Sequence, residues 1–204
     1  MKIIQTFKDE SLKCGFPTRE SCLNYLKKSY SIHSKLCETI IYTDVDGGEY
    51  LKNKAPELNI RIIEFEYIDC RFWNLPKLQV QQLQVEPYIH VDIDATLHYI
   101  PVTDKPIITE MSRSNFIMTQ FSSLNLLPKP FLPCSGLIGF NDMDLQKYYI
   151  SEAIKMIRNW NLRFVDFESL WSIEELLLAN ISEKDEWFEL DKNKYEHLQG
   201  GMKK

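Results

Sequence analysis

The apolar run Tyr-Ile-His-Val at 88–91 ends in Asp92-Ile93-Asp94, two carboxylates one residue apart. On an extended backbone that spacing turns both side chains the same way, and two chemistries use such a pair. Asp92 can act as a nucleophile with Asp94 as its general acid and base, or the two can hold a hard divalent cation, Mg²⁺ or Mn²⁺, that bridges phosphate oxygens. The local string suits both.

Two further Asp-x-Asp pairs occur, Asp44/Asp46 and Asp142/Asp144. About one such pair is expected by chance in a chain of this kind, so context has to separate them. Asp44-Val-Asp46-Gly-Gly has the outline of a calcium loop, but Gly48 and Glu49 stand where an EF-hand needs an oxygen ligand and a glycine. It reads as a polar turn whose glycines take positive φ. Asp142 and Asp144 precede a long helical pattern, where carboxylates cap the first turn and complement its dipole. Asp92 and Asp94 alone follow an apolar strand placed to be central, and in an open α/β sheet ligands collect beyond the carboxyl ends of such strands.

A second signal lies at 197–203, where His197-Leu-Gln-Gly200-Gly201-Met-Lys203 has the form His-x-x-Gly-x-x-Lys. The types suit a diphosphate. An imidazole can ligate Mn²⁺, a glycine lets the backbone approach phosphates closely, and an ammonium supplies a point charge.

The elements that must position these groups follow from periodicity. Residues 2–7 and 37–44 read as strands, joined by a helix in which Cys22, Leu23, Leu26 and Tyr30 fall at helical spacing, a β-α-β opening. A short helix at 49–56, a strand at 60–67, a helix over 75–84 with Leu75, Leu78, Leu83 and Val85 as its apolar residues, and the strand at 87–93 continue the alternation. The second half is less regular, with strands around 105–111 and 136–140 on either side of a Pro-rich passage. A helix over 142–160 carries Leu145, Tyr149, Ala153, Met156, Ile157 and Trp160 on one stripe. A last helix follows Ser172-Ile-Glu-Glu175, a capping-box pattern, and sends Ile173, Leu176, Leu177 and Leu178 to the core. The expected class is α/β, a mostly parallel sheet with helices on both faces.

The 204 residues suit one domain, 44% of them hydrophobic and 26% charged. A net charge of −5 argues against a nucleic-acid or anionic-membrane partner, since both require a basic face. No window approaches the ~18 apolar residues of a transmembrane segment, and the N-terminal apolar run is too short for a signal peptide, so a cytoplasmic location is expected. The five cysteines are an odd set without a C-x-x-C pair, and read as free thiols rather than disulfides or a zinc site.

Asp-x-Asp on a central strand, Cys-Ser-Gly-Leu-Ile-Gly-Phe at 134–140 and the terminal His-x-x-Gly-x-x-Lys together resemble the GT-A, Rossmann-like glycosyltransferases that use nucleotide-sugar donors. The similarity is greatest to family 8, the glycogenin and lipopolysaccharide galactosyltransferase group. The resemblance implies that Asp92, Asp94 and His197 ligate Mn²⁺ (or Mg²⁺), that Lys203 and Gly200 meet the donor diphosphate, and that Lys77 faces the donor. It implies that Thr6 and Phe7 lie near the nucleotide base and that Ser135 and Gly136 line the donor site, where the family carries Asn-Ala-Gly and this chain Cys134-Ser135-Gly136. Glu174 and Glu175 are the candidate catalytic carboxylates. The implied partners are a nucleotide-sugar donor, a UDP-sugar by preference, and a glycan or other hydroxyl acceptor. Retention of configuration is the implied outcome, and residues 196–204 form a basic tail that closes over the donor.

Two rival readings remain. Asp92-Ile-Asp94-Ala-Thr-Leu also matches the first motif of haloacid-dehalogenase-like phosphatases, but no Gly-Asp-x-x-x-Asp or Asp-Asp follows, and the motif stands about ninety residues into the chain rather than on a first strand. The other is a binding protein of the same fold without catalysis.

Overall fold

The computed structural model describes residues 1–8, 16, 18–66, 74–109, 111–113, 131–159, 173–181 and 186–197. The chain begins with strand β1 (Lys2–Phe7), helix α1 (Arg19–His33), β2 (Thr39–Thr43), α2 (Val45–Lys54) and β3 (Ile60–Ile62). After α3 (Leu75–Gln82) come β4 (Tyr88–Val91), β5 (Ala95–Leu97), β6 (Ile107–Ile108) and β7 (Met111–Arg113). The second half holds β8 (Phe131–Pro133), β9 (Leu137–Phe140), α4 (Met143–Asn159), α5 (Ile173–Ile181), β10 (Phe188–Glu189) and β11 (Tyr195–His197).

Among the described residues, seven strands form one sheet in the order β10-β6-β9-β4-β1-β2-β3. β1 pairs in parallel with both β2 and β4, and β3 and β10 also join in parallel, whereas β9 runs antiparallel between β4 and β6. From β1 the chain first builds outward through β2 and β3, then crosses to the other side of β1 to lay down β4. The strand order therefore reverses between β1 and β4, and the crevice past their carboxyl ends is where an open α/β sheet binds ligands.

Period-2 alternation divides the side chains between two faces. Ile4, Ile40, Tyr42, Tyr88, Ile138 and Phe140 pack with α3, α4 and α5, including Leu78, Tyr149, Ile154 and Leu178. On the opposite face Phe7 and Ile41 meet Leu23 and Leu26 of α1 and Leu51 of α2. All four residues of β4 are buried, as expected for a strand covered on both sides.

Local chemistry accounts for the boundaries. Thr18 caps α1 through a capping box with Ser21, Asp142 Oδ1 accepts the N–H groups of Asp144 and Leu145 at the start of α4, and Pro76 stands in the first turn of α3, where its missing N–H costs nothing. Leu176, Leu177 and Leu178 are buried as the pattern of α5 predicts. Ser172 and Trp160 lie outside the described residues.

Three local expectations are corrected. Asp44-Val-Asp46-Gly-Gly is no glycine turn: Asp44 Oδ1 caps Gly47 N–H at 2.8 Å and the glycines fall inside α2 without positive φ. A Cβ on Gly47 would come 2.1 Å from Thr43 Oγ1, and one on Gly48 2.7 Å from Ile62, so close packing of α2 on the sheet explains both. Leu83 and Val85 are exposed, because α3 ends at Gln82; its buried residues include Leu75, Lys77, Leu78 and Val80 instead. The third strand stops at Ile62 rather than 67, and within the Pro-rich passage Phe131–Pro133 pairs with β7. Cys22, Cys37 and Cys134 are free thiols; Cys14 and Cys70 lie outside the described residues.

Candidate functional site

β4 delivers Asp92 to the carboxyl edge of the sheet. There the Asp92 N–H bonds the Gly136 carbonyl at 2.8 Å and the Asp92 carbonyl accepts from Ala95 at 3.0 Å. A tight turn results, carrying Asp92 and Asp94 into β5. β5 pairs antiparallel with β11, with Ala95 opposite His197. Two segments a hundred residues apart in sequence are thereby brought together by one short ladder. His197 Nε2 stands 3.9 Å from Asp94 Oδ2, and one ligand atom each from Asp92, Asp94 and His197 all lie within 4.8 Å of one another.

This donor set fits a divalent cation. Two hard carboxylate oxygens and one imidazole nitrogen suit Mn²⁺ or Mg²⁺ better than a thiophilic ion. The other imidazole nitrogen, Nδ1, lies 3.9 Å from Cys134 Sγ. Gly136 is in contact with the ring, since a Cβ there would come 2.3 Å from His197 Cε1.

Behind the triad sits a buried lysine. Lys77 on α3 has its Nζ 3.3 Å from Asp92 Oδ1 and 3.9 Å from Glu174 Oε2, and also donates to the Ser135 carbonyl. Burial alone would lower the ammonium, but the Asp92 and Glu174 carboxylates outweigh it and push its pKa up, so it stays charged. Burial raises the Asp92 carboxyl; Lys77 opposes the shift and Asp94 adds to it. A cation bound by the triad would relieve that crowding of negative charge.

The two candidate catalytic glutamates occupy different places. Glu174 is 1% exposed, accepts from Ser135 Oγ at 3.4 Å, and has its pKa raised chiefly by burial. Glu175 accepts from the Ser135 N–H at 3.3 Å, and burial pushes its carboxyl up to about 7 against that hydrogen bond. Ser135 thus ties both glutamates to the turn before β9. Thr6 reaches the site through His90: its Oγ1 lies 2.9 Å from His90 Nε2, and His90 Nδ1 lies 3.7 Å from Asp92 Oδ1. Phe7 is fully buried in the α1/α2 face and stacked on Tyr50. Gly200 and Lys203 lie outside the described residues.

His90 is the residue that pattern reading passed over, and Cys134 was read only as a free thiol opening the segment 134–140. The signal for His90 was present, because it stands two positions before Asp92 on the same strand and so shares its face. Burial, followed by the neighbouring Lys77, holds the His90 pKa well below the usual histidine value, so the ring is neutral. No sequence signal announced that Cys134 would meet His197.

Solved glycosyltransferases share this fold. An active-site mutant of LgtC superposes with a TM-score of 0.56 at 11% identity over 94% of this chain and 73% of that one. The fold is of the GT-A type. LgtC has also been solved, as a galactosyltransferase, with donor and acceptor sugar analogues. The bifunctional glycosyltransferase WbbM gives a TM-score of 0.52 at 11% identity over 93% of this chain. The glycosyltransferase GlyE of Streptococcus pneumoniae gives 0.50 at 12% identity over 93%. This chain spans 38% of WbbM and 45% of GlyE. No protein-family model matches the sequence, and no curated protein matches it. Among the described residues, no helix is long and apolar enough to cross a membrane.

Proposed function

We propose that this chain is a metal-dependent glycosyltransferase that moves a sugar from a nucleotide diphosphate donor, a UDP-sugar, to an acceptor hydroxyl. The observation that carries the reading is the convergence of Asp92, Asp94 and His197 at the carboxyl end of β4, beside the point where the strand order reverses. The fold likeness and the place of Asp92 after a fourth strand favour it over the phosphatase reading.

In this scheme Asp92, Asp94 and His197 hold Mn²⁺ or Mg²⁺, which when bound neutralises charge on a diphosphate leaving group. Lys77 keeps the Asp92 carboxylate ionised and oriented. Lys203 adds a positive charge at the diphosphate, and Gly200 allows its backbone close to the phosphates. The carboxyl end of β1 borders the base at Thr6, with the Phe7 side chain buried behind it, and Ser135 and Gly136 border the sugar. Glu175 is the more accessible of the two glutamates and the better candidate to meet the acceptor; Glu174 lies beneath Lys77. The chain acts as one domain from 1 to 204, in the cytoplasm, with the retaining outcome that the family 8 resemblance implies.

Thermal unfolding with UDP, with Mn²⁺ and with both tests the reading. A ligand at a hundred times its Kd adds about 2.7 kcal/mol of stability. A shift that needs both components, and disappears in Asp94→Ala and His197→Ala, is the expected result. Absence of any shift with nucleoside diphosphates and cation would overturn it.

A further inference from the structure

The imidazole of His197 has a different neighbour at each nitrogen: Asp94 Oδ2 lies 3.9 Å from Nε2 and Cys134 Sγ lies 3.9 Å from Nδ1. Between them the ring rests on Gly136, whose Cα carries no side chain to intervene. A Cβ there would come 2.3 Å from Cε1, 2.6 Å from Nε2 and 3.0 Å from Nδ1. The turn at 134–136 therefore touches one edge and one face of the ring.

We infer that Cys134 and Gly136 form a seat that selects which nitrogen of His197 is presented to Asp92 and Asp94. Cys134 Sγ accepts the Nδ1–H, leaving the Nε2 lone pair toward the carboxylates. The pairing of His197 with Ala95 places the backbone, but strand register does not choose a ring rotamer or a tautomer. A neutral imidazole has one donor and one acceptor nitrogen, so the partner of Nδ1 decides whether Nε2 is free to ligate. Ligating histidines owe their orientation to such a partner, and its loss typically weakens metal binding by about 10–100-fold.

Cys134 is thus a positioning residue acting through His197. The same turn is held from behind by Lys77, which donates to the Ser135 carbonyl, and by Glu175, which accepts the Ser135 N–H. It is also joined to β4 by the bond from Asp92 N–H to the Gly136 carbonyl. The seat is thus fixed on three sides.

The inference rests on the reading of Asp92, Asp94 and His197 as a cation site, and the test separates the two. In ¹⁵N-labelled, metal-free full-length protein, two-bond ¹H–¹⁵N correlations report the His197 tautomer, assigned with His197→Gln. Wild type is expected to carry its proton on Nδ1. Cys134→Ala is expected to shift His197 toward the Nε2–H form and to weaken Mn²⁺ binding by about tenfold or more. Cys134→Ser, which keeps an acceptor, is expected to retain the wild-type tautomer. A wild-type proton on Nε2 would overturn the seat, as would a folded Cys134→Ala protein with unchanged tautomer and unchanged Mn²⁺ affinity. If wild type binds no Mn²⁺, the cation reading fails while the wild-type tautomer still decides the inference.

Discussion

Lys77 Nζ lies 3.3 Å from Asp92 Oδ1, joining a buried position of α3 to the residue that opens the candidate metal site. The lysine side chain is 6% exposed. An ammonium that deep is held by its carboxylate partners, and they are held by it.

Replacing it should be costly. Lys77→Met is expected to destabilise by about 3 kcal/mol, because Asp92 and Glu174 lose their shared cation in a buried setting. Without it both carboxyls rise further above their unfolded values. The folded variant then binds protons more readily than the unfolded chain, so lowering the pH stabilises it. Urea unfolding from pH 8 to 5 should show the deficit against wild type shrinking as the pH falls. A deficit constant across that range would contradict the pairing.

Gly136→Ala separates fold from site. The added Cβ meets a side-chain ring that can swing away, so stability should fall by only about 1 kcal/mol. His197 cannot swing and still face Asp94, and Mn²⁺ affinity should fall by about tenfold or more. Calorimetric titration beside thermal unfolding checks both, and a variant binding Mn²⁺ like wild type would show that the ring does not need this seat.

His33 should govern part of the acid sensitivity. Its Nε2 accepts the Leu97 N–H at 2.9 Å, tying α1 to the strand that pairs with β11. Burial, with His98 adding to it, lowers its pKa to about 4. The unfolded chain takes up the proton first, near pH 6.5, so the stabilising contribution is complete above that pH and is lost as pH falls toward 4. The shift corresponds to on the order of 3 kcal/mol. His33→Gln should remove that slope from the urea midpoint between pH 6.5 and 4; an unchanged slope would place the sensitivity elsewhere.

Truncation divides the terminal motif. Removing 198–204 leaves β11 and His197 in place but takes Gly200 and Lys203 away. Mn²⁺ binding should persist while UDP affinity in its presence drops by about tenfold or more, the loss of one charge-assisted contact of about 1.5–3 kcal/mol. Removing 195–204 deletes the strand as well and should abolish both. If the shorter truncation binds UDP and Mn²⁺ like the full chain, the distal half of the motif has no part in the donor site.

The alternation of strand and helix, and with it the α/β class, was legible because it rests on local periodicity: β1 matches its expected bounds, Cys22, Leu23 and Leu26 of α1 are buried, and so are Tyr149, Ala153 and Ile157 of the α4 stripe, joined there by Gln146, Ile150 and Ile154. Asp92 and Asp94 were legible as a pair of carboxylates closing an apolar strand, although β4 ends at Val91 and the two stand in the turn closed by Ala95 N–H on the Asp92 carbonyl rather than on an extended backbone. Asp142 as a helix cap belongs here too. Where reading failed, at Gly47, Gly48, Leu83 and Val85, the deciding fact was what lay across the gap: Thr43 and Ile62 beneath α2, and exposure of Leu83 and Val85 past the end of α3.

His197 could be suspected from its spacing to Gly200 and Lys203, but nothing in the chain order says how it reaches Asp94. An antiparallel ladder of three residue pairs does that, and pairing between distant segments is set by the energy of the whole sheet rather than by either segment. The same holds for Lys77, which the resemblance set toward the donor and which packing buries between Asp92 and Glu174, and for Cys134 beside His197. Residue types and local spacing determined which groups could do chemistry here. Only the packed sheet decided which of them meet, because contacts between remote residues follow from long-range burial and strand pairing, and neither is written in any local window.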